Sequence, residues 1–228
     1  MSATLQRPAP SAVLTSTPIV AVLRAKHAKE YAPVIEALVK GGIRSIELTL
    51  SSAGVFDAMP DLLQAYGAEA ELGIGTITTK AQARLALDSG AAFLVTPTTD
   101  PAIIITSTAA NIPVYPGGLT PTELLTGWNA GATAVKIFPA SVVGPGYIAQ
   151  LRGPFPDLQI VPSGGVTLED APAWISAGAL AVSMGGPLLQ DAFLGGDPQQ
   201  LTKRARDLTD TIRAATSARQ PKGNEDRP

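Results

Sequence analysis

The sequence predicts a single-domain α/β protein built as a (β/α)8 barrel, on three observations. Short apolar runs alternate with longer stretches of helical period, as repeated βα units around a parallel sheet require. Eight such runs occur, and eight units in about 180 residues make a compact barrel of the TIM type. The helical stretches end in Gly at Gly41, Gly90, Gly131 and Gly178, each followed after a short gap by the next apolar run. A doubly wound open sheet is the alternative arrangement of the same units.

In chain order, the predicted strands are Ile19 to Leu23, Ser45 to Leu50, Leu72 to Gly75, Ala92 to Val95, Pro113 to Tyr115, Ala134 to Phe138, Gln159 to Pro162 and Ala181 to Met184. Several are almost continuously apolar, as strands covered by helices on one face and packed on the other should be. Between the first two, Ala28 to Lys40 is apolar at Ala28, Tyr31, Val34, Ile35 and Leu38, a 3.6-residue rhythm, and Lys80 to Ser89 repeats it. The four glycines sit where a helix C-cap needs a left-handed backbone. A last helix from about Gln199 to Thr216 is expected to pack outside the barrel. Met1 to Ser16 reads as a loose tail and Ser217 to Pro228 as a polar one, which leaves 17–216 as the barrel domain.

Composition removes several functions. Hydrophobic residues are 45% and charged residues 16%, so most of the chain is expected to fold. Seventeen Lys and Arg against nineteen Asp and Glu leave no basic excess for a phosphate backbone or an anionic membrane. No run approaches the 18 apolar residues of a membrane span, and no export signal is evident, so a cytoplasmic protein is expected. With no cysteine and one histidine, His27, thiolate sites, zinc sites of several histidines and paired imidazoles are excluded within one chain. Chemistry is left to Lys, Glu, Asp, Ser, Thr, Tyr or backbone, and neither a metal nor a cofactor is expected.

In a barrel, catalysis belongs at the C-terminal ends of the strands. The polar residues there are Arg24, Glu47, Thr49, Ser51, Thr76, Thr96, Lys136 and Ser163. Of seven lysines, Lys136 alone lies inside an apolar strand-like run. Burial disfavours an ammonium, and a neutral amine is a nucleophile able to form a Schiff base with a carbonyl. Glu47 lies in another such run, and alternation puts it and Thr49 on one face, the barrel interior, where the carboxylate can serve as a proton shuttle. A buried Glu–Lys ion pair is the structural alternative. Gly164-Gly165 and Gly185-Gly186 follow the seventh and eighth runs, where such barrels often hold phosphate on backbone N–H groups; two tight turns explain them equally. Thr76 can hold a carboxylate or cap the next helix, and Arg24 suits a substrate anion or simply the surface. For His27 a capping or solvated role outweighs catalysis.

Seven motifs in order, Pro18-Ile19-Val20-Ala21-Val22-Leu23-Arg24, Ile46-Glu47-Leu48-Thr49-Leu50, Gly73-Ile74-Gly75-Thr76, Val95-Thr96-Pro97, Tyr115-Pro116-Gly117-Gly118, Val135-Lys136-Ile137-Phe138-Pro139-Ala140 and Pro162-Ser163-Gly164-Gly165-Val166, resemble the class I 2-keto-3-deoxy-6-phosphogluconate (KDPG) and 6-phosphogalactonate (KDPGal) aldolases over about Thr17 to Leu189. The resemblance implies a homotrimeric barrel that cleaves a 2-keto-3-deoxy-6-phospho sugar acid reversibly to pyruvate and glyceraldehyde 3-phosphate. It puts Lys136 on the Schiff-base lysine, Glu47 on the general acid/base, Thr76 on a pyruvate-carboxylate contact, Gly164, Gly165, Gly185 and Gly186 on the phosphate loops and Pro97 on a residue lining the site. Ser51-Ser52 stand where the gluconate type resembles an arginine-containing stretch, whereas Arg24 resembles the galactonate branch. Ser163 brings a hydroxyl where the gluconate type resembles Thr and the galactonate type an apolar residue, and Pro187 stands near where the family resemblance would put a serine hydroxyl that helps hold phosphate. Lyase action on an unphosphorylated acid such as 4-hydroxy-2-oxoglutarate, and a non-catalytic phosphate-binding barrel, are the rival readings.

Overall fold

The computed structural model describes residues 7–219. Each of the eight apolar runs contains a strand: β1 (Ile19–Leu23), β2 (Ser45–Thr49), β3 (Glu71–Gly75), β4 (Leu94–Val95), a fifth split by Pro116 into β5 (Val114–Tyr115) and β6 (Gly117–Gly118), β7 (Val135–Ile137), β8 (Ile160–Pro162) and β9 (Val182–Met184). The helices are α1 (Ala12–Ser16), α2 (Tyr31–Lys40), α3 (Val55–Tyr66), α4 (Lys80–Asp88), α5 (Pro101–Ala109), α6 (Pro121–Asn129), α7 (Gly146–Arg152), α8 (Ala171–Ser176), α9 (Gly186–Leu189) and α10 (Pro198–Arg219). Local chemistry starts several of them. Thr79 with Gln82 caps α4 reciprocally, Thr120 with Glu123 caps α6, and Asp100 followed by Pro101 opens α5.

All ladders are parallel, in the order β5-β4-β3-β2-β1-β9 in one sheet and β6-β7-β8 in the other. First and last strands are neighbours and the order never reverses, unlike the doubly wound alternative. The expected ring of ladders is, however, divided into two sheets. Pro116 has no N–H to continue the fifth strand's ladder, so β5 pairs with β4 while β6 pairs with β7. At the other seam β8 and β9 are joined by the single bridge Ser163–Ser183 and by Leu180 N–H donating to the Ile160 carbonyl at 2.8 Å.

Strand alternation sorts the core into two clusters. Outward residues such as Ala21, Ile46, Leu48, Ile74, Ile137 and Val182 pack under the helices. Inward residues Val20, Phe93, Val95, Tyr115, Ala134, Val161 and Ala181 form a separate apolar layer. Above that layer the inward positions turn polar, at Glu47, Lys136, Ser163 and Ser183. The long helix α10 buries Leu201, Ala205, Leu208 and Ile212 at helical spacing against α2 and α8. No helix among the described residues is long and apolar enough to cross a membrane.

The amino-terminal expectation needs correction. Residues 1–6 lie outside the described residues, but within the supposed tail Arg7 stacks on the Trp128 ring at 3.4 Å and donates to the Ala132 and Trp128 carbonyls. Helix α1, capped by Ser11, delivers Leu14 into the inward apolar layer, where it is 1% exposed. A single leucine closing that layer is invisible to a reading of local composition. Leu14→Ala is expected to cost about 2–5 kcal/mol, measured by denaturant unfolding, as for other buried large-to-small changes. At the other end α10 runs to Arg219, so Ser217 to Arg219 belong to the helix rather than to a tail, and Arg219 donates to the Ile175 and Ala179 carbonyls. Residues 220–228 lie outside the described residues.

The helix ends at Gly90, Gly131 and Gly178 adopt the expected positive φ, but in the first repeat Gly42 takes it (φ +92) and Gly41 does not. Gly41 is needed for another reason: a Cβ there would overlap the Ala205 side chain of α10.

Candidate active site

At the C-terminal ends of the strands a cavity of about 550 Å³ opens. It brings together the ten residues proposed as catalytic or substrate-binding: Arg24 after β1, Glu47 in β2, Thr76 after β3, Pro97 after β4, Lys136 in β7, Ser163, Gly164 and Gly165 after β8, and Gly185 and Gly186 after β9. Thr49 does not line it; its hydroxyl donates to the Leu23 carbonyl at 2.9 Å and lies 2.9 Å from Ser51 Oγ. His27 caps the turn before α2, its Nδ1 accepting from Lys29 N–H.

Lys136 and Glu47 are the buried charges of this cavity, 7% and 1% exposed. They are not a contact ion pair. Among the described residues every ion pair within 4.0 Å involves other groups. The buried-pair alternative is thereby set aside, and both groups remain available to a ligand. The Lys136 ammonium instead lies 5.1 Å from the centroid of the Phe138 ring. Among the described residues, Glu47 Oε2 is buried without a hydrogen-bond partner. Burial pushes the Glu47 carboxyl above the usual carboxylate range, and the charges of Lys136 and Arg24 only partly restrain it. Below these groups Val20, Val95, Tyr115 and Val161 floor the site around a void of about 10 Å³, no larger than one water.

Thr76 holds φ +62, the left-handed region, where a β-branched residue is an outlier costing about 1–3 kcal/mol. It does not cap the following helix; Thr79 does. The strain is retained at the cavity wall, and capping of the following helix does not account for it. Gly164 and Gly165 are also left-handed, at φ +81 and +79.

The KDPG and KHG aldolase family model matches residues 11–203. The chain belongs to that family. A 2-dehydro-3-deoxy-6-phosphogalactonate aldolase of Escherichia coli (strain K12) is 34% identical over 175 residues, 76% of this chain and 85% of that relative. The native KDPGal structure superposes with a TM-score of 0.81 at 30% identity, over 88% of this chain and 96% of its own. A crystal structure of KDPG aldolase from Legionella pneumophila, with pyruvate captured at low pH as a covalent carbinolamine intermediate, gives a TM-score of 0.79 at 26% identity over 86% and 96%.

The aldolase's cavity also contains residues that the sequence reading passed over. Val22 and Ser183 line its inner wall, and Phe138, Gln190, Phe193 and Leu194 its rim. Ser183 carried a usable signal, as a hydroxyl inside the eighth apolar run. Phe138 closes the sixth apolar run, but Gln190, Phe193 and Leu194 carried no signal, because the segment after α9 has no regular period and Phe193 is placed by an edge-on contact with Tyr31, ring centroids 6.0 Å apart.

The two glycines of β3 shape this aldolase's interior by their missing side chains. A Cβ on Gly73 would overlap the Phe93 ring, and one on Gly75 would overlap the Glu47 carboxylate. Gly75 is therefore the notch in which that carboxylate lies. Gly75→Ala is expected to displace Glu47 and lower kcat about 10²-fold, the cost of misplacing a catalytic group by about 1 Å. Steady-state turnover, with circular dichroism as a folding control, measures it.

Proposed function

We propose that this aldolase reversibly cleaves a 2-keto-3-deoxy-6-phospho sugar acid to pyruvate and glyceraldehyde 3-phosphate through a Schiff base on Lys136. The observation that carries the reading is a buried lysine and a buried carboxylate, whose Oε2 has no partner among the described residues, opening into one cavity without pairing at contact. The Lys136 amine attacks the C2 ketone to form a carbinolamine, which loses water to give an iminium. Glu47 takes the C4 hydroxyl proton; the C3–C4 bond breaks and its electrons flow into the iminium, leaving the enamine of pyruvate. Protonation at C3 and hydrolysis release pyruvate and return the free amine. Arg24 and Thr76 anchor the carboxylate and so hold the ketone within reach of the amine.

The phosphate end of the substrate is assigned to Gly164, Gly165, Gly185 and Gly186. Among the described residues, and apart from Gly186's chain neighbours and its own helix backbone, no atom lies within 4 Å of where a Cβ on Gly186 would stand, so a side chain there would extend into the cavity. The reading includes a closed (β/α)8 barrel, its two sheets joined through Pro116 and the Ser163–Ser183 bridge, a homotrimer as the family resemblance implies, and a cytoplasmic location.

Incubation with pyruvate and borohydride tests the chemistry: a single reduced adduct on the Lys136 peptide, found by mass spectrometry, is the expected result, and its absence at saturating pyruvate overturns the mechanism. One observation favours a second reading, action on an unphosphorylated acid such as 4-hydroxy-2-oxoglutarate. Pro187, in the first turn of α9, has no N–H to offer a phosphate. Rates with and without the 6-phosphate separate the two.

A further inference from the structure

Resting on the reading of Arg24 as a carboxylate anchor, we propose that Thr49 and Ser52 are positioning residues, which aim Arg24 at the substrate's carboxylate by clamping the peptide groups on either side of it. Arg24 is exposed and lines the cavity, yet among the described residues its side chain forms no ion pair within 4.0 Å and no hydrogen bond. Its reach into the cavity is then set by where its backbone lies. Both neighbours are held. The Leu23 carbonyl accepts from the Thr49 hydroxyl at 2.9 Å and from the Tyr31 hydroxyl at 3.3 Å, and Ala25 N–H donates to Ser52 Oγ at 3.0 Å. Tyr31, Thr49 and Ser52 are all buried.

The clamp fills a gap in the sheet. β1 and β2 pair in register as far as Leu23 and Leu48, and bridging resumes at His27 and Ala53, four residues on along one segment and five along the other. Across that mismatch the two backbones cannot continue a regular ladder, so the peptide groups inside it need other partners. Hydroxyls from the β2 side supply them around Arg24, and backbone bonds take over beyond it, Ala53 N–H donating to the Lys26 carbonyl at 3.2 Å and Ala28 N–H to the Ala53 carbonyl at 2.9 Å. Arg24 is thereby released from ladder geometry while both flanking peptides stay fixed. Thr49 follows Glu47 by two residues on β2, so the strand that carries the acid/base also sets the anchor. Removing either hydroxyl frees one side of Arg24.

The test is borohydride trapping of pyruvate, which uses the carboxylate anchor and the Lys136 amine but no carbon–carbon cleavage. Arg24→Ala is expected to raise the pyruvate concentration for half-maximal trapping about 10–100-fold, the scale of a lost charge-assisted hydrogen bond. Thr49→Val and Ser52→Ala are each expected to raise it about three- to tenfold, roughly one net hydrogen bond, with the maximal trapping rate changed less. Thr49→Ser, which keeps the donor, should restore it. In an Arg24→Ala background the valine and alanine substitutions should add little, because they act through Arg24. Half-saturation unchanged in either variant that folds, or an equal rise with and without Arg24, overturns the proposal; the equal rise is what a general loosening of the fold would give. Arg24→Ala saturating like wild type would overturn the anchor reading and the proposal with it, and absence of a wild-type adduct would overturn the Schiff-base mechanism, so the failures are distinguishable.

Discussion

Lys136→Met is expected to abolish turnover, lowering kcat/KM by about 10⁴–10⁶-fold, the scale of loss when an enzyme is deprived of its nucleophile. Lys136→Arg separates the amine's covalent role from its charge, because a guanidinium keeps the positive charge beside Glu47 but cannot form the Schiff base. Equal inactivity of the two variants, each without a borohydride adduct, is the expected outcome. Appreciable activity in the arginine variant would assign Lys136 an electrostatic rather than a covalent function. The methionine variant also removes the principal charge restraining the buried Glu47 carboxyl, which should then hold its proton to a still higher pH.

Glu47→Gln is expected to lose about 10²–10⁴-fold in kcat, the usual contribution of a positioned acid or base, while becoming more stable than wild type at neutral pH. The direction follows from proton linkage. Burial raises the folded-state affinity of Glu47 for its proton above that of the unfolded chain. Its contribution to stability is therefore fully present below the ordinary glutamate pKa of about 4.3 and is lost as pH rises through the higher folded value. Glutamine has no such loss. The stability difference between variant and wild type should be near zero below about pH 4.3 and open as pH rises, which denaturant melts across pH will measure. The acid limb of the wild-type rate profile should lie above the ordinary glutamate value for the same reason. A variant less stable at pH 8 than wild type would show that Glu47 is held by stabilising contacts rather than strained by burial.

That these two residues could be picked out in the sequence has a physical basis. A charged side chain inside an apolar run is costly unless something uses it, and Lys136 and Glu47 each stand in such a run. The strands were legible for a related reason, since helix-covered strands of a parallel sheet must be apolar along most of their length. Ser183 escaped attention because a serine costs little in a strand, so its presence in Ala181 to Met184 raised no conflict. Gly75 could be read as the end of a strand, but its use as a notch depends on where the carboxylate of another strand comes to lie. Leu14 failed for the opposite reason: its own surroundings are polar and proline-rich, and its burial is contributed wholly by distant residues from six strand segments.

Periodicity, composition and the cost of burying charge are local properties, so the eight apolar runs, the lack of thiol and multi-histidine chemistry within one chain, and Lys136 and Glu47 as candidate groups could be read from the sequence. Packing settled that Lys136 and Glu47 share a cavity without pairing at contact, that Gly41 lies against Ala205 while Gly42 turns the chain, that the amino-terminal segment closes the apolar floor, and that the Ser163 and Ser183 hydroxyls meet across two strands. Each rests on distances between residues apart in sequence. Such distances are set by how strand register, helix packing and close backbone approach are satisfied together, which no single segment encodes.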